Sequence, residues 1–159
     1  MLAKHKPHCA TIETMPKVMV QSLPDYTHAQ LLTAEHRSLI ADEPLADDGA
    51  DLGPTPYDLL LWALGACTSM TLQIYARRKG IPLEEVAVEV EHERTHSEAC
   101  DDCLEDRSGK IEVIRRRIVL KGPLTDAQRD ELLGIANRCP VHKTLKSAPE
   151  VIDTVEVVS

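Results

Sequence analysis

Between Asp58 and Arg77 the chain carries no charged residue, and this stretch, LLLWALGACTSMTLQIYA, limits the fold more than any other segment. Pro54 and Pro56 stand where a helix begins, because a first-turn residue has no use for its N–H. Gly80 in KGIP suits the position just past a helix end, with Pro82 as a stop, so the pattern predicts one helix from the prolines to about Lys79. Its length touches the threshold for crossing a membrane. Thr68, Ser69, Thr71 and Gln73 make its second half too polar for that. A helix apolar nearly all round in a soluble protein is one surrounded by other elements. It is therefore predicted to be the buried centre of the domain, between a sheet and a second helix, with Gly65, Ala66 and Ser69 allowing close backbone approach.

The flanking segments supply those elements. KVMVQSL and HAQLLTAEHRSLIADEP read as short strands separated by PDY, and ADDGADLGPTP as a loop. In EEVAVEVEHE, Val86, Val88 and Val90 alternate with acidic residues, which is the signature of a half-buried strand. IEVIRRRIVLKG is a further strand, and its Arg115, Arg116 and Arg117, three in a row and so on both faces, are expected as solvated or rim charges rather than an anion site. Thr125 and Gln128 fit a capping box for the helix that follows, on which Leu132, Ile135, Ala136 and Cys139 share a face. VIDTVEVV reads as a closing strand. The order of strands, helix, strands, helix and strand predicts an α+β fold with antiparallel sheets, in one domain over 17–159, after a flexible arm over 1–16.

Composition removes whole classes of function. With 18 basic against 26 acidic residues the formal charge is −8, and aromatic residues make up 3% of the chain with no Phe. A nucleic-acid or anionic-membrane surface needs a basic footprint, and single-strand binding needs aromatic platforms, so neither partner is expected. The first twenty residues hold no apolar run of signal-peptide length, which leads to the expectation of a cytoplasmic protein. Five cysteines, an odd number in a reducing compartment, point to thiols or metal ligands rather than a disulfide framework.

Cys139 precedes Pro140 in NRCPVHKTL. Proline disfavours helical geometry in the residue before it and favours the first helical position, so Cys139 is expected to be the N-cap of a short helix. The N–H groups there, Arg138 beside it and His142 within reach would each lower its thiol pKa. The competing reading is a buried Cys that closes the apolar stripe, and local sequence leaves both open. Cys67 reads as packing, since burial in mid-helix raises a thiol pKa. HERTH, His92 to His96, matches a zinc-protease motif, but on a strand four residues span about 13 Å, too far for one zinc. His96, Cys100 and Cys103, with His92, have zinc-ligand spacing if the chain turns after the strand; the alternatives are free thiols or an auxiliary disulfide. His5, His8 and Cys9 are too few to define a site.

DLGPTPYDLLLWALGACTSMTL, followed by CPVHKTL with its cysteine seventy-two positions after Cys67, resembles the OsmC/Ohr family of osmotically induced and organic-hydroperoxide-resistance proteins. With HRSLIADEP and GPLTDAQRDELLGIANRC, the similarity covers roughly 17 to 158. The resemblance implies an intertwined homodimer in which the buried helix carries the first cysteine, Cys67 as the peroxidatic thiol, and Cys139 as the resolving one. It also implies an organic hydroperoxide as substrate, a dithiol reductant and no cofactor. In place of the family's glutamate ten positions before the first cysteine the chain has Tyr57, with Asp58 beside it. The arginine that the family brings from its N-terminal hairpin has no motif to place it, and Arg37 is named only as a candidate. The alternative to a thiol peroxidase is a redox-sensing or metal- or small-ligand-binding module on the same fold, and a third reading has the cysteines only packing.

Overall fold

The computed structural model describes residues 17–96 and 110–157. The backbone gathers into two compact units, Met1–Pro56 and Tyr57–Ser159. In the first, strands β1 (Met19–Ser22), β2 (Gln30–Ala34) and β3 (Arg37–Ala41) form an antiparallel sheet in that order. Ala34 pairs with Arg37, which leaves a two-residue hairpin loop, and Glu35 takes the left-handed conformation that such a loop requires, at φ 54°. The loop after β3 folds around Asp42. The Asp42 carboxylate accepts the backbone N–H of Glu43 at 2.9 Å, of Ala50 at 3.0 Å and of Leu52 at 3.2 Å. Gly49 sits in this loop with no room for a side chain, since a Cβ there would lie 1.7 Å from the carbonyl oxygen of Glu43.

The second unit is built on helix α1 (Pro56–Lys79), which ends as expected at Gly80 with φ 67°. Strands β4 (Glu85–His96) and β5 (Lys110–Lys121) pair antiparallel along their whole length, with Val86 opposite Leu120, Val88 opposite Ile118 and Val90 opposite Arg116. Helix α2 (Asp126–Ala136) opens with the predicted capping box, Thr125 and Gln128 each bonding the other's backbone N–H. A short helix α3 (Pro140–Ser147) follows. The core joins Leu72, Ala76 and Ile81 to Leu132, Ile135 and Ala136, with Val86, Ile118 and Leu120 of the sheet packed against it. A Cβ on Gly65 would stand 3.3 Å from a methyl of Val90, so this glycine lets α1 lie close to β4.

Three expectations are corrected. First, α1 is not buried all round in the single chain. Leu64, Gly65, Thr68, Leu72 and Ala76 form one buried stripe, while Trp62 and Met70 are each 61% exposed and Ile74 is 50% exposed. By length and composition α1 is apolar enough to cross a membrane, but its buried stripe seats it on the unit's own core. Second, the described part of VIDTVEVV, residues 151–157, forms no strand. Residues 148–157 lie outside regular secondary structure, with Val155 and Val157 at 91% and 90% exposure. Alternation of side chains does not make a strand unless another strand accepts its backbone hydrogen bonds. Third, of the three arginines in β5, Arg115 and Arg117 face outward and pair with Glu93 and Glu89, whereas Arg116 turns inward. Strict alternation along a pleated strand puts the middle residue on the core face with Ile114 and Ile118.

Candidate active site

Cys67 lies on α1 one residue before the buried Thr68, and Cys139 is the N-cap of α3, directly ahead of Pro140 at the first helical position. Both are free thiols; Cys67 is partly exposed and Cys139 is fully buried. Folding brings the two cysteine side chains close enough for each to influence the other's ionisation. This proximity depends on α2. Leu132, Ile135 and Ala136 bury its inner face against α1, and the chain leaving the helix delivers Cys139 to the same wall.

The two thiols feel opposite fields. Burial pushes the Cys67 thiol up, and the neighbouring Cys139 pushes it further; the Val141 amide and Thr71 hydroxyl oppose both without cancelling them. At Cys139 burial also pushes up, but Cys67, the His142 amide, the Thr68 hydroxyl and the Val141 amide together pull the pKa below its ordinary value. The sulfur closes no capping hydrogen bond of ordinary geometry, so the amides act mainly through the positive field at a helix start. The surroundings thus favour the protonated form at Cys67 and the thiolate form at Cys139.

Arg116, expected from the sequence to be a solvated or rim charge, organises this corner. Its Nη1 donates to Thr68 Oγ1 at 2.8 Å and to the Ala136 carbonyl at 3.3 Å; its Nη2 donates to Asn137 Oδ1 at 3.1 Å and to His142 Nδ1 at 3.2 Å. One guanidinium thus ties α1, the end of α2 and α3 together. Arginine has no acceptor, so His142 Nδ1 must be the unprotonated nitrogen of its ring. Burial, then the charge of Arg116, then that of Lys146 hold the His142 pKa below its usual value. Local sequence has His142 assisting Cys139 through its side chain; instead that side chain is held neutral, and the backbone N–H is what favours the thiolate. The signal available in the sequence is the inward position of Arg116 in an alternating strand, in line with Ile114, Ile118 and Leu120.

The other expected residues lie elsewhere or carry other contacts. Tyr57 stacks on the His92 ring at 4.8 Å between centroids, and His92 is bound to Glu112. Tyr57 thus makes an aromatic contact at the position where the sequence resemblance implied a glutamate. Arg37 opens β3 in the other compact unit and is exposed. His92 and His96 lie on a strand, as expected, which excludes the helical zinc-protease arrangement. Cys9, Cys100, Cys103 and the side chain of His96 lie outside the described residues. Among the described residues no group of three His, Cys, Asp or Glu side chains is placed to hold a metal ion.

The sequence pattern of the OsmC-like protein family matches residues 48–152, a span that contains both cysteines, Thr68, Arg116 and His142. No curated protein sequence matches the chain. Among solved structures, an OsmC-like protein from Mycoplasma pneumoniae superposes with a TM-score of 0.67 at 19% identity, over 85% of this chain and 89% of that one. The organic hydroperoxide resistance protein OsmC from Legionella pneumophila gives 0.61 at 15% identity, over 83% and 89%. An organic hydroperoxide resistance protein from Vibrio cholerae, with captopril bound in one of its active sites, gives 0.60 at 16% identity, over 89% and 90%. At these identities the likeness is one of fold, and the family match over most of the chain establishes membership: this chain belongs to the OsmC-like protein family.

Proposed function

We propose that this protein reduces organic hydroperoxides through Cys67 and Cys139, using a dithiol as the electron source. One observation carries the reading: two cysteines far apart in sequence come close enough to influence each other's ionisation, one on an apolar helix and partly accessible, the other buried with its thiolate form favoured. The family membership and the two relatives named for organic hydroperoxide resistance support the same substrate class. Cys67, as the accessible sulfur, attacks the distal oxygen and releases an alcohol; the resulting sulfenic acid condenses with Cys139 to a disulfide and water. A dithiol then reopens the disulfide by exchange. The apolar surface around Trp62 and Met70 favours a substrate with an apolar tail over hydrogen peroxide. The same exposed surface on α1 is what a second copy would cover in the homodimer that the family resemblance implies. We place the activity in the cytoplasm, where dithiol reductants are available.

Consumption of cumene hydroperoxide in the presence of a dithiol tests the reading. Cys67→Ser is expected to abolish turnover, and Cys139→Ser to allow one oxidation but no disulfide. Equal consumption by the wild type and both variants would remove the proposal.

A further inference from the structure

We infer that the cavity between the C-terminal half of α1 and the end of α2 is a binding site for an organic acid with an apolar chain, whose carboxylate is held by Arg78 and Arg138. The inference goes beyond the hydroperoxide reading and stands without it. The cavity measures about 230 Å³ and is lined by Thr71, Ile74, Tyr75, Arg78, Ile135 and Arg138. The first four are spaced so that they share one face of α1, and the same face carries Cys67 one turn before Thr71. Ile135, in the last turn of α2, and Arg138, just past its end, form the other wall.

Charge is what points to a ligand. The chain carries −8 overall, yet Arg78 and Arg138 line one cavity, and the Lys79 ammonium adds a third positive charge 5.9 Å from the centre of the Tyr75 ring. Neither guanidinium has a hydrogen bond or ion pair among the described residues. Arg115, Arg117 and Arg129, by contrast, each meet a carboxylate. Glu131 accepts the Tyr75 hydroxyl and is not among the lining side chains. Basic residues in a last turn complement the helix dipole, which accounts for the run Arg77, Arg78 and Lys79. The dipole of α1 does not account for an arginine from beyond a second helix in the wall of the same cavity.

The ligand class follows from the lining. Two guanidiniums present planar forks that match the two oxygens of a carboxylate. Ile74, half exposed, and Ile135 give an apolar floor beside them, and covering that surface favours an acid with a chain over a bare anion. The cavity is smaller than the roughly 300–1,000 Å³ of sites that enclose a whole small ligand, so it takes the headgroup and the first part of the chain. The rest of the chain runs along the face of α1 toward Cys67, about 16 Å from Arg78 along the helix axis.

The test is calorimetric titration of decanoate, below its micelle concentration, into the reduced full-length protein. Decanoate is expected to bind saturably, and decanol, which has the chain without the charge, about tenfold more weakly. Arg78→Gln and Arg138→Gln are each expected to weaken decanoate by about tenfold, the scale of one charge-assisted hydrogen bond. Both side chains are exposed, so the fold is expected to survive, which circular dichroism checks. Arg77→Gln removes the same charge from a side chain that does not line the cavity and is expected to leave the affinity unchanged. Inorganic phosphate, with charge and no chain, is expected to displace decanoate only in large excess. The inference is overturned if decanoate does not bind, if decanol binds as tightly, or if all three arginine variants lose the same affinity. Displacement of decanoate by phosphate at equal concentration overturns it as well.

Discussion

The Asp42 loop and the Cys139 cap both hold a buried group whose anionic form is favoured, and they do so by different means. Asp42 draws its three amides from Glu43, Ala50 and Leu52, all within ten residues of itself. Burial would raise its pKa, but these bonds, headed by Leu52 and helped by His28, hold the carboxyl below the ordinary range. Cys139 draws support from α1 and from the start of α3, and Arg116 of β5 reaches it through Thr68. A local cage of backbone amides does not respond to a neighbour's protonation, so it stabilises a loop. A cage assembled from several elements, one of which carries the second thiol, couples charge to chemistry.

The largest expected effect comes from breaking the assembled cage at its foundation. Leu132 is fully buried between α1 and the sheet. Leu132→Ala is expected to cost about 3 kcal/mol in denaturant unfolding, through lost burial and the cavity left behind. It should also weaken the Cys67–Cys139 contact, read as slower disulfide formation. If stability falls while disulfide formation keeps its rate, the cap does not depend on α2.

The local cage is broken at Asp42. Asp42→Ala leaves three amides without their acceptor, and the thermal midpoint is expected to drop by several degrees, on the order of 5–10 °C. The pH dependence has a definite sign. Because the folded pKa lies below the unfolded value, the contribution is fully present above about pH 4 and is lost as the pH falls from there through the folded value. Asp42→Asn should flatten that acid limb of the stability curve, and an unaltered limb would show that the loop's charge is irrelevant to it.

A smaller effect is expected at the start of α2, where Thr125→Ala removes half of the capping box at a cost of about 1 kcal/mol. Thr125→Asp should recover most of it, which separates capping from packing. The smallest effect sharpens the electrostatic side of the comparison. Lys146→Gln removes one of the charges that depress His142, so the imidazole midpoint seen by NMR should rise by about a few tenths of a unit. The depressed value means that folding is favoured above about pH 6.5 and loses this contribution as the pH falls through the folded pKa. No rise would leave burial and Arg116 as the causes.

Much of the fold is legible in the amino-acid sequence. The ends of α1, the capping box on α2, the alternation of β4 and the seat of Cys139 ahead of Pro140 are each written in a few adjacent residues, where backbone chemistry decides. Local pattern is not sufficient in two other places. The valines of VIDTVEVV alternate, yet no strand among the described residues pairs with them. α1 looks apolar all round, yet the single chain covers only the stripe from Leu64 to Ala76.

A third departure concerns the site. Alternation along a strand puts the three arginines on both faces, but it does not say what the inward one meets. Arg115 and Arg117 meet glutamates on the outer face of the sheet. Arg116 meets a threonine, a carbonyl, an asparagine and a histidine that come from separate parts of the chain.

The sequence by itself determined where the helices start and stop, which strand faces are apolar, and that Cys139 caps a helix, because proline geometry, capping and side-chain periodicity act over a few residues. Only the tertiary structure decided that Cys67 and Cys139 come close enough to influence each other's ionisation, that Arg116 faces inward onto Thr68, Ala136, Asn137 and His142, and that the thiolate form is favoured at Cys139 and disfavoured at Cys67. Those outcomes depend on distances between groups far apart along the chain and on which of them lose water. Both are fixed when α1, β5, α2 and α3 pack together.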